Sequence, residues 1–207
     1  MKFALACATK VEEVRRDCGA ARADVVRAPD RMIIVVADGA GGKAGAATAQ
    51  YLCDAVVEQI GERGAPHSWS SWLAQLDGAM PRIGLAAAVI VEARGDGRIV
   101  GASAGNCQAW LLSERGSAEL TNRQHIKPLL GEGRALPIGF EARAAAAAIV
   151  IANDGLWRRQ LAEQVAAAAA VRPLDDAVAA LTRASRLRSG ALRNDVAIAI
   201  CQISRAR

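Results

Sequence analysis

Two short stretches of this chain pair a carboxylate with glycine at the end of an apolar run. The first, Met32 to Val36 followed by Ala37, opens into Asp38-Gly39-Ala40-Gly41-Gly42. In the second, Ile149-Val150-Ile151-Ala152 feeds Asn153-Asp154-Gly155. A carboxylate at a strand end offers hard oxygen ligands, and a neighbouring backbone carbonyl adds another; Mg²⁺ and Mn²⁺ favour such donors. Glycines after the acid allow φ > 0, so the loop can bring its carbonyls close to an ion. A single Asp-Gly turn is commonplace, but two at the ends of two apolar runs are much harder to ascribe to accident, and Asp38 with the Gly39 carbonyl would supply such ligands.

The elements that must position these groups follow from residue spacing. Ile33 to Val36 are β-branched, as a buried strand prefers. Strands are expected at Lys2 to Ala8, Ala21 to Arg27 and from Met32, and then as an antiparallel meander of Leu85 to Ala93, Arg98 to Ala104 and Gln108 to Ser113, turning at Gly95-Asp96-Gly97 and Gly105-Asn106. Ala44 to Gly61 carries apolar residues at helical spacing, with Ala47, Tyr51, Leu52, Ala55, Val56 and Ile60 on one face. Trp69 to Met80 reads as a shorter helix stopped by Pro81. Asn122 to Phe140, with Pro128, Gly131, Gly133, Pro137 and Gly139, reads as one long loop without regular structure. Helices are expected at Arg158 to Val171 and Leu174 to Leu187, and a closing strand at Asp195 to Ile203. Strands gathered in the middle, with helices in pairs, suggest an α+β fold of packed sheets covered by helices.

Composition narrows the function. With 207 residues, 52% of them hydrophobic, the chain fits one domain, residues 1–207, with a full core. Aromatics make up only 3%, so Val, Ile, Leu and Ala must build that core. The longest apolar stretch, Ala144 to Ala152, is too short to span a bilayer, and the Met1 to Ala8 start is too short and too weakly basic for a signal peptide; a soluble, cytoplasmic protein without a membrane partner is expected. Cys7, Cys18, Cys53, Cys107 and Cys201 are odd in number and lack CxxC spacing, which argues against a disulfide framework or a zinc site and for small core residues. The net charge of +5 is dispersed over arginines without interleaved aromatics, so a nucleic-acid partner is not expected. His67 and His125, the two histidines, sit in no metal-ligand pattern, and Lys43 lacks the GxxxxGK[ST] context of a phosphate loop.

Five blocks in a fixed order, VADGAGGKAGAATA at 36–49, GASAGNCQAWLL at 101–112, ELT at 119–121, IANDGLW at 151–157 and NDVAIAI at 194–200, resemble those of the metal-dependent PPM-type (protein phosphatase 2C-like) serine/threonine phosphatases. The resemblance implies a four-layer α-β-β-α sandwich of two mainly antiparallel sheets flanked by helices, with two Mn²⁺ or Mg²⁺ ions at one end. It implies hydrolysis of phosphoserine or phosphothreonine on a protein substrate, such as the target of a serine/threonine kinase, by a metal-activated water, and a place in signalling. Asp38 would bridge the ions, the Gly39 carbonyl would bind one, and Asp154 the other. An acidic site expected near the N-terminus falls on Asp17, preceded by Arg16 where the family has glutamate. The family's final acidic pair becomes Asn194-Asp195: register favours Asn194 as the ligand, charge favours Asp195, and the expectation rests on Asp195. Asn106 replaces an aspartate that often helps hold a third ion, so only two are expected. The phosphate-gripping arginine should fall near Glu12 and is absent there, leaving Arg15, Arg16 or Arg22 as substitutes. These departures sustain a second reading, a weakly active or inactive relative that binds a phosphoprotein and regulates it.

Overall fold

The structure is a computed structural model that describes residues 2–14, 19–157 and 162–205. Asp17 and the arginines at 15 and 16 lie outside the described residues, as do positions 158–161 of the expected Arg158 helix.

The apolar run in the first Asp-Gly block becomes β3 (Arg31–Ala40), and its alternation decides the layers. Met32, Ile34 and Val36 face one core, while Ile33, Val35 and Ala37 face another, so both sides of the strand are buried. β3 lies between β2 (Ala21–Ala28) and β4 (Leu85–Arg94), followed by β5 (Arg98–Ala104) and β8 (Ile138–Arg143), all antiparallel. The second sheet runs β1 (Phe3–Glu12), β10 (Val196–Arg205), β9 (Ala147–Ala152), β6 (Gln108–Ser113) and β7 (Gly116–Glu119), also antiparallel. Ile149 and Ile151 of β9, with Ala197, Ala199 and Cys201 of β10, meet β3 and β4 between the sheets. Helices α1 (Lys43–Arg63) and α2 (Trp69–Ala79) cover the first sheet. The short α3 (Asp154–Trp157), with α4 (Ala162–Ala169) and α5 (Leu174–Ala184), covers the second. The result is the expected four-layer α-β-β-α sandwich. Burying one Ile or Val side chain stabilises by about 1.5–3 kcal/mol, so the fully buried Ile33, Ile34, Ile149, Ile151 and Ile198 carry much of the driving force.

Several expectations change. The meander ends at β5, because β6 pairs with β9 in the other sheet and β8 takes the open edge of β5. The chain crosses between sheets at Gly105, whose φ of 92° suits glycine and whose added Cβ would strike Ala87. β8 starts inside the expected Asn122–Phe140 loop, and Leu130 of that loop bridges Ala86. β7 had no counterpart in the reading of the sequence. α1 buries Gly45, Thr48, Ala49, Leu52, Cys53 and Val56 and leaves Ala47 exposed, a face rotated from the expected one. Among the described residues, no helix is long and apolar enough to cross a membrane.

One buried charge ties layers together. Glu92 of β4, with a side chain 0% exposed, accepts hydrogen bonds from Arg31 (3.0 Å), Arg94 (2.8 Å) and the indole Nε1 of Trp69 (3.0 Å). A buried carboxylate is tolerated only with such partners, and here they pin α2 to its sheet.

Candidate functional site

Alternation along β3 continues past Val36 and turns Asp38 toward the inter-sheet side. There the core opens into a cleft of about 460 Å³ at one end of both sheets. Gly39 still belongs to β3, opposite Ala86, so the positive φ values expected of the loop fall instead on Gly41 (87°) and Gly42 (73°). Gly39 answers a different need, since a Cβ there would collide with the backbone of Gly45 where α1 crosses the strand end.

From the other sheet, β9 ends at Ala152 and the chain turns immediately into α3. That turn buries Asn153 completely and sets Asp154 at the cleft as the first residue of the helix. Asn153 is the joint of the site. Its Nδ2 donates to Asp38 Oδ2 (3.1 Å) and to the Asp195 carbonyl (2.9 Å), and its Oδ1 accepts from the Ala197 N–H (3.1 Å). One amide thereby aligns a carboxylate of the first sheet with the start of β10 in the second. Asn106, in the turn between β5 and β6, donates from Nδ2 to Asp154 Oδ2 (3.0 Å). Both amides orient carboxylates at the cleft.

Asn194 and Asp195 both line the cleft. Because β10 begins at Val196, the two residues precede the strand, and strand alternation does not force one of them away. The Asp195 carboxylate also acts as a clamp. Its Oδ1 accepts from the Val14 N–H and its Oδ2 from the Ala20 N–H, each at 2.7 Å, which fastens the chain on both sides of residues 15–18. Beneath the aspartates lies the buried Cys107, whose thiol is pushed well above its ordinary pKa by burial and then by the charges of Asp38 and Asp154.

Of the residues expected at the site, Asp38, Gly39, Asp154, Asn194 and Asp195 are brought to one cleft. Glu12, at the expected arginine position, ends β1 and forms an ion pair with Arg186. Arg22 is spent locally, donating to the carbonyls of Gly19 (3.0 Å) and Ala21 (2.7 Å) and to Gln50 Oε1 (2.8 Å). Lys43 is exposed outside the cleft. His125 enters through its backbone, its carbonyl accepting from the Gly105 N–H (2.9 Å). Reading the sequence missed Asn153, Lys127 and Arg193. Asn153 stood beside Asp154 in plain view and Arg193 closes the short arginine cluster 183–193, whereas nothing local marks Lys127.

Among the described residues, no three His, Cys, Asp or Glu side chains stand close enough to cage an ion by themselves. The donors present are two cross-sheet carboxylates, the Asp195 carboxylate, the Asn194 amide and the Gly39 backbone, all hard oxygens. That set suits Mg²⁺ or Mn²⁺, which keep several waters, better than a soft or tetrahedral metal.

No protein-family model matches the sequence, and no curated protein matches it. Solved structures do match its shape. A bacterial serine phosphatase superposes with a TM-score of 0.80 at 14% identity, over 99% of this chain and 100% of that one. RsbX in complex with magnesium gives 0.75 at 16%, over 97% and 96%. The catalytic domain of the serine/threonine protein phosphatase PstP, in complex with two manganese ions, gives 0.73 at 13%, over 98% and 99%. At these identities the likeness establishes the fold: this chain shares the four-layer sandwich of these structures over nearly its whole length.

Proposed function

We propose that the cleft is a phosphomonoesterase centre, and that residues 1–207 form one metal-dependent protein phosphatase domain acting on phosphoserine or phosphothreonine. The observation that carries this reading is the meeting of Asp38 and Asp154, delivered by strands of different sheets and aligned through Asn153. Asp38, Asp154 and the Gly39 carbonyl, with Asn194, Asp195 and Asp17, would hold two Mn²⁺ or Mg²⁺ ions. Such a pair supplies Lewis acidity toward phosphoryl oxygens and a water acidic enough to ionise near neutral pH. The protein's own part is positioning. Asn153 holds Asp38, Asn106 holds Asp154, and the buried core beneath keeps both carboxylates from drifting. With the attacking oxygen drawn from water, no serine or cysteine nucleophile is needed. The structural neighbours bound to magnesium and manganese support the choice of ions.

A second reading, a phosphoprotein-binding regulator with little turnover, draws on Asn106, which stands beside Asp154 as an amide and adds no charge to the site. Hydrolysis of an aryl phosphate and of a phosphoserine peptide separates the two readings. Activity that requires added Mn²⁺ or Mg²⁺ and vanishes with chelator is the expected result. Full activity after exhaustive chelation overturns the mechanism, and metal binding without turnover selects the regulator. Asp38→Ala should lower kcat on the order of a thousandfold at unchanged thermal stability, the loss of several kcal/mol of transition-state stabilisation.

A further inference from the structure

We infer that Arg193 and Lys127 grip the substrate's phosphoryl group from the two sheets, replacing the arginine missing at Glu12. The inference rests on the phosphatase reading of the cleft. A phosphomonoester carries a charge of about −1.5 to −2 near neutral pH and needs cationic donors as well as metal. Glu12 cannot serve, being an acid paired with Arg186, and Arg22 is committed to two carbonyls, to Gln50 and to an ion pair with Glu13 at 3.6 Å. Among the described residues lining the cleft, Arg193 and Lys127 are the cations. Both are exposed, and neither forms an ion pair with a described residue.

Both cations also stand on anchored backbone. Arg193 is two residues before Asp195, whose carboxylate is fixed by the Val14 and Ala20 N–H groups. Lys127 lies between two tethers to the first sheet: the His125 carbonyl on the Gly105 N–H, and Leu130, which exchanges two 3.0 Å backbone bonds with Ala86. A guanidinium can bond two phosphoryl oxygens at once, whereas an ammonium acts as a point charge. Arg193 therefore sets orientation and Lys127 adds attraction.

Calorimetric titration of the metal-loaded protein with inorganic phosphate tests the grip without any turnover, and KM for a phosphoserine peptide follows it. Loss of a charge-assisted hydrogen bond predicts about tenfold weaker phosphate binding, or more, for Arg193→Gln and a smaller loss for Lys127→Gln. Arg193→Lys should recover part of the affinity, and Mn²⁺ affinity should change less than about twofold in all three, since the metal is held by other residues. Arg188→Gln, which removes a charge outside the cleft, should leave phosphate binding unchanged. Unaltered phosphate affinity in Arg193→Gln, or an equal loss in Arg188→Gln, overturns the inference. A protein that binds phosphate through Arg193 yet hydrolyses nothing refutes the phosphatase reading alone.

Discussion

Asp195 accepts a backbone hydrogen bond on each carboxylate oxygen, so its removal strands the N–H groups of Val14 and Ala20. Hydrogen bonds to a charged acceptor contribute about 1.5–3 kcal/mol each, reduced here by partial exposure, so Asp195→Ala should destabilise the fold by roughly 2 kcal/mol in a urea titration. Asp195→Asn keeps one acceptor but turns an amide donor toward the other N–H, and should fall between. The metal-binding share of the residue is read separately. A carboxylate brings full charge to a divalent ion and an amide only a dipole. If Asp195 is the stronger ligand, as its charge leads us to propose, Asp195→Ala raises the half-saturating Mn²⁺ concentration at least about tenfold and Asn194→Ala changes it little. Tighter binding in Asn194→Asp, with Asp195→Ala silent toward Mn²⁺, would reassign the ligand to position 194 and leave Asp195 as a clamp.

Among the elements, α2 reaches the cleft indirectly. Asp77, near the helix end and 1% exposed, accepts from the N–H groups of Gly131 (2.6 Å) and Ala135 (2.8 Å), holding the loop that carries Lys127 and Leu129. Removing a buried acceptor leaves both donors unsatisfied at about 1–3 kcal/mol each, so Asp77→Ala should cost about 2–4 kcal/mol and speed hydrogen exchange at Gly131 and Ala135 before the sheets open. Glu132 braces the same loop. The Leu129 N–H, and then Arg134, hold its carboxyl below the ordinary 4.5. A depressed folded pKa means stability present above 4.5 and lost as pH falls through the folded value. Loop protection should therefore decline on acidification below 4.5 in the wild type and show no such step in Glu132→Gln.

For the molecule as a whole, three cores share two sheets, and the cysteines report on two of them. Cys53 belongs to the helix-side core of α1 and α2, and Cys107 and Cys201 to the core between the sheets; burial raises the pKa of all three. Cys7, opposite Cys201 in the ladder, is pushed up to about 12 by burial. Thiolate is the reactive species, so a thiol reagent should label these four slowly in the native state. Because β3 and β4 contribute side chains to both cores, Cys53 and Cys107 should become reactive at one denaturant midpoint. Earlier labelling of Cys53 would show that the α1–α2 layer opens by itself.

Alternation of apolar residues, the β-branched run at 33–36 and the two Asp-Gly turns depend on neighbours a few residues away, so they already mark the buried strands, the α+β class and Asp38 and Asp154 as the acids to watch. The order of short motifs supplied the four-layer expectation. Sheet membership was not legible, because β6 leaves the meander for a partner some forty residues further on, and β8, in a stretch rich in Pro and Gly, becomes a strand by completing the edge of β5. The site's wiring was hidden for the same reason. Asn153 meets Asp38 across 115 residues and Asp195 meets Val14 across 181, and Lys127 and Arg193 share a cleft only because two sheets pack face to face. Local propensity acts within a turn or a strand, whereas convergence of side chains is decided by burial and hydrogen bonding between segments that meet only in the folded chain.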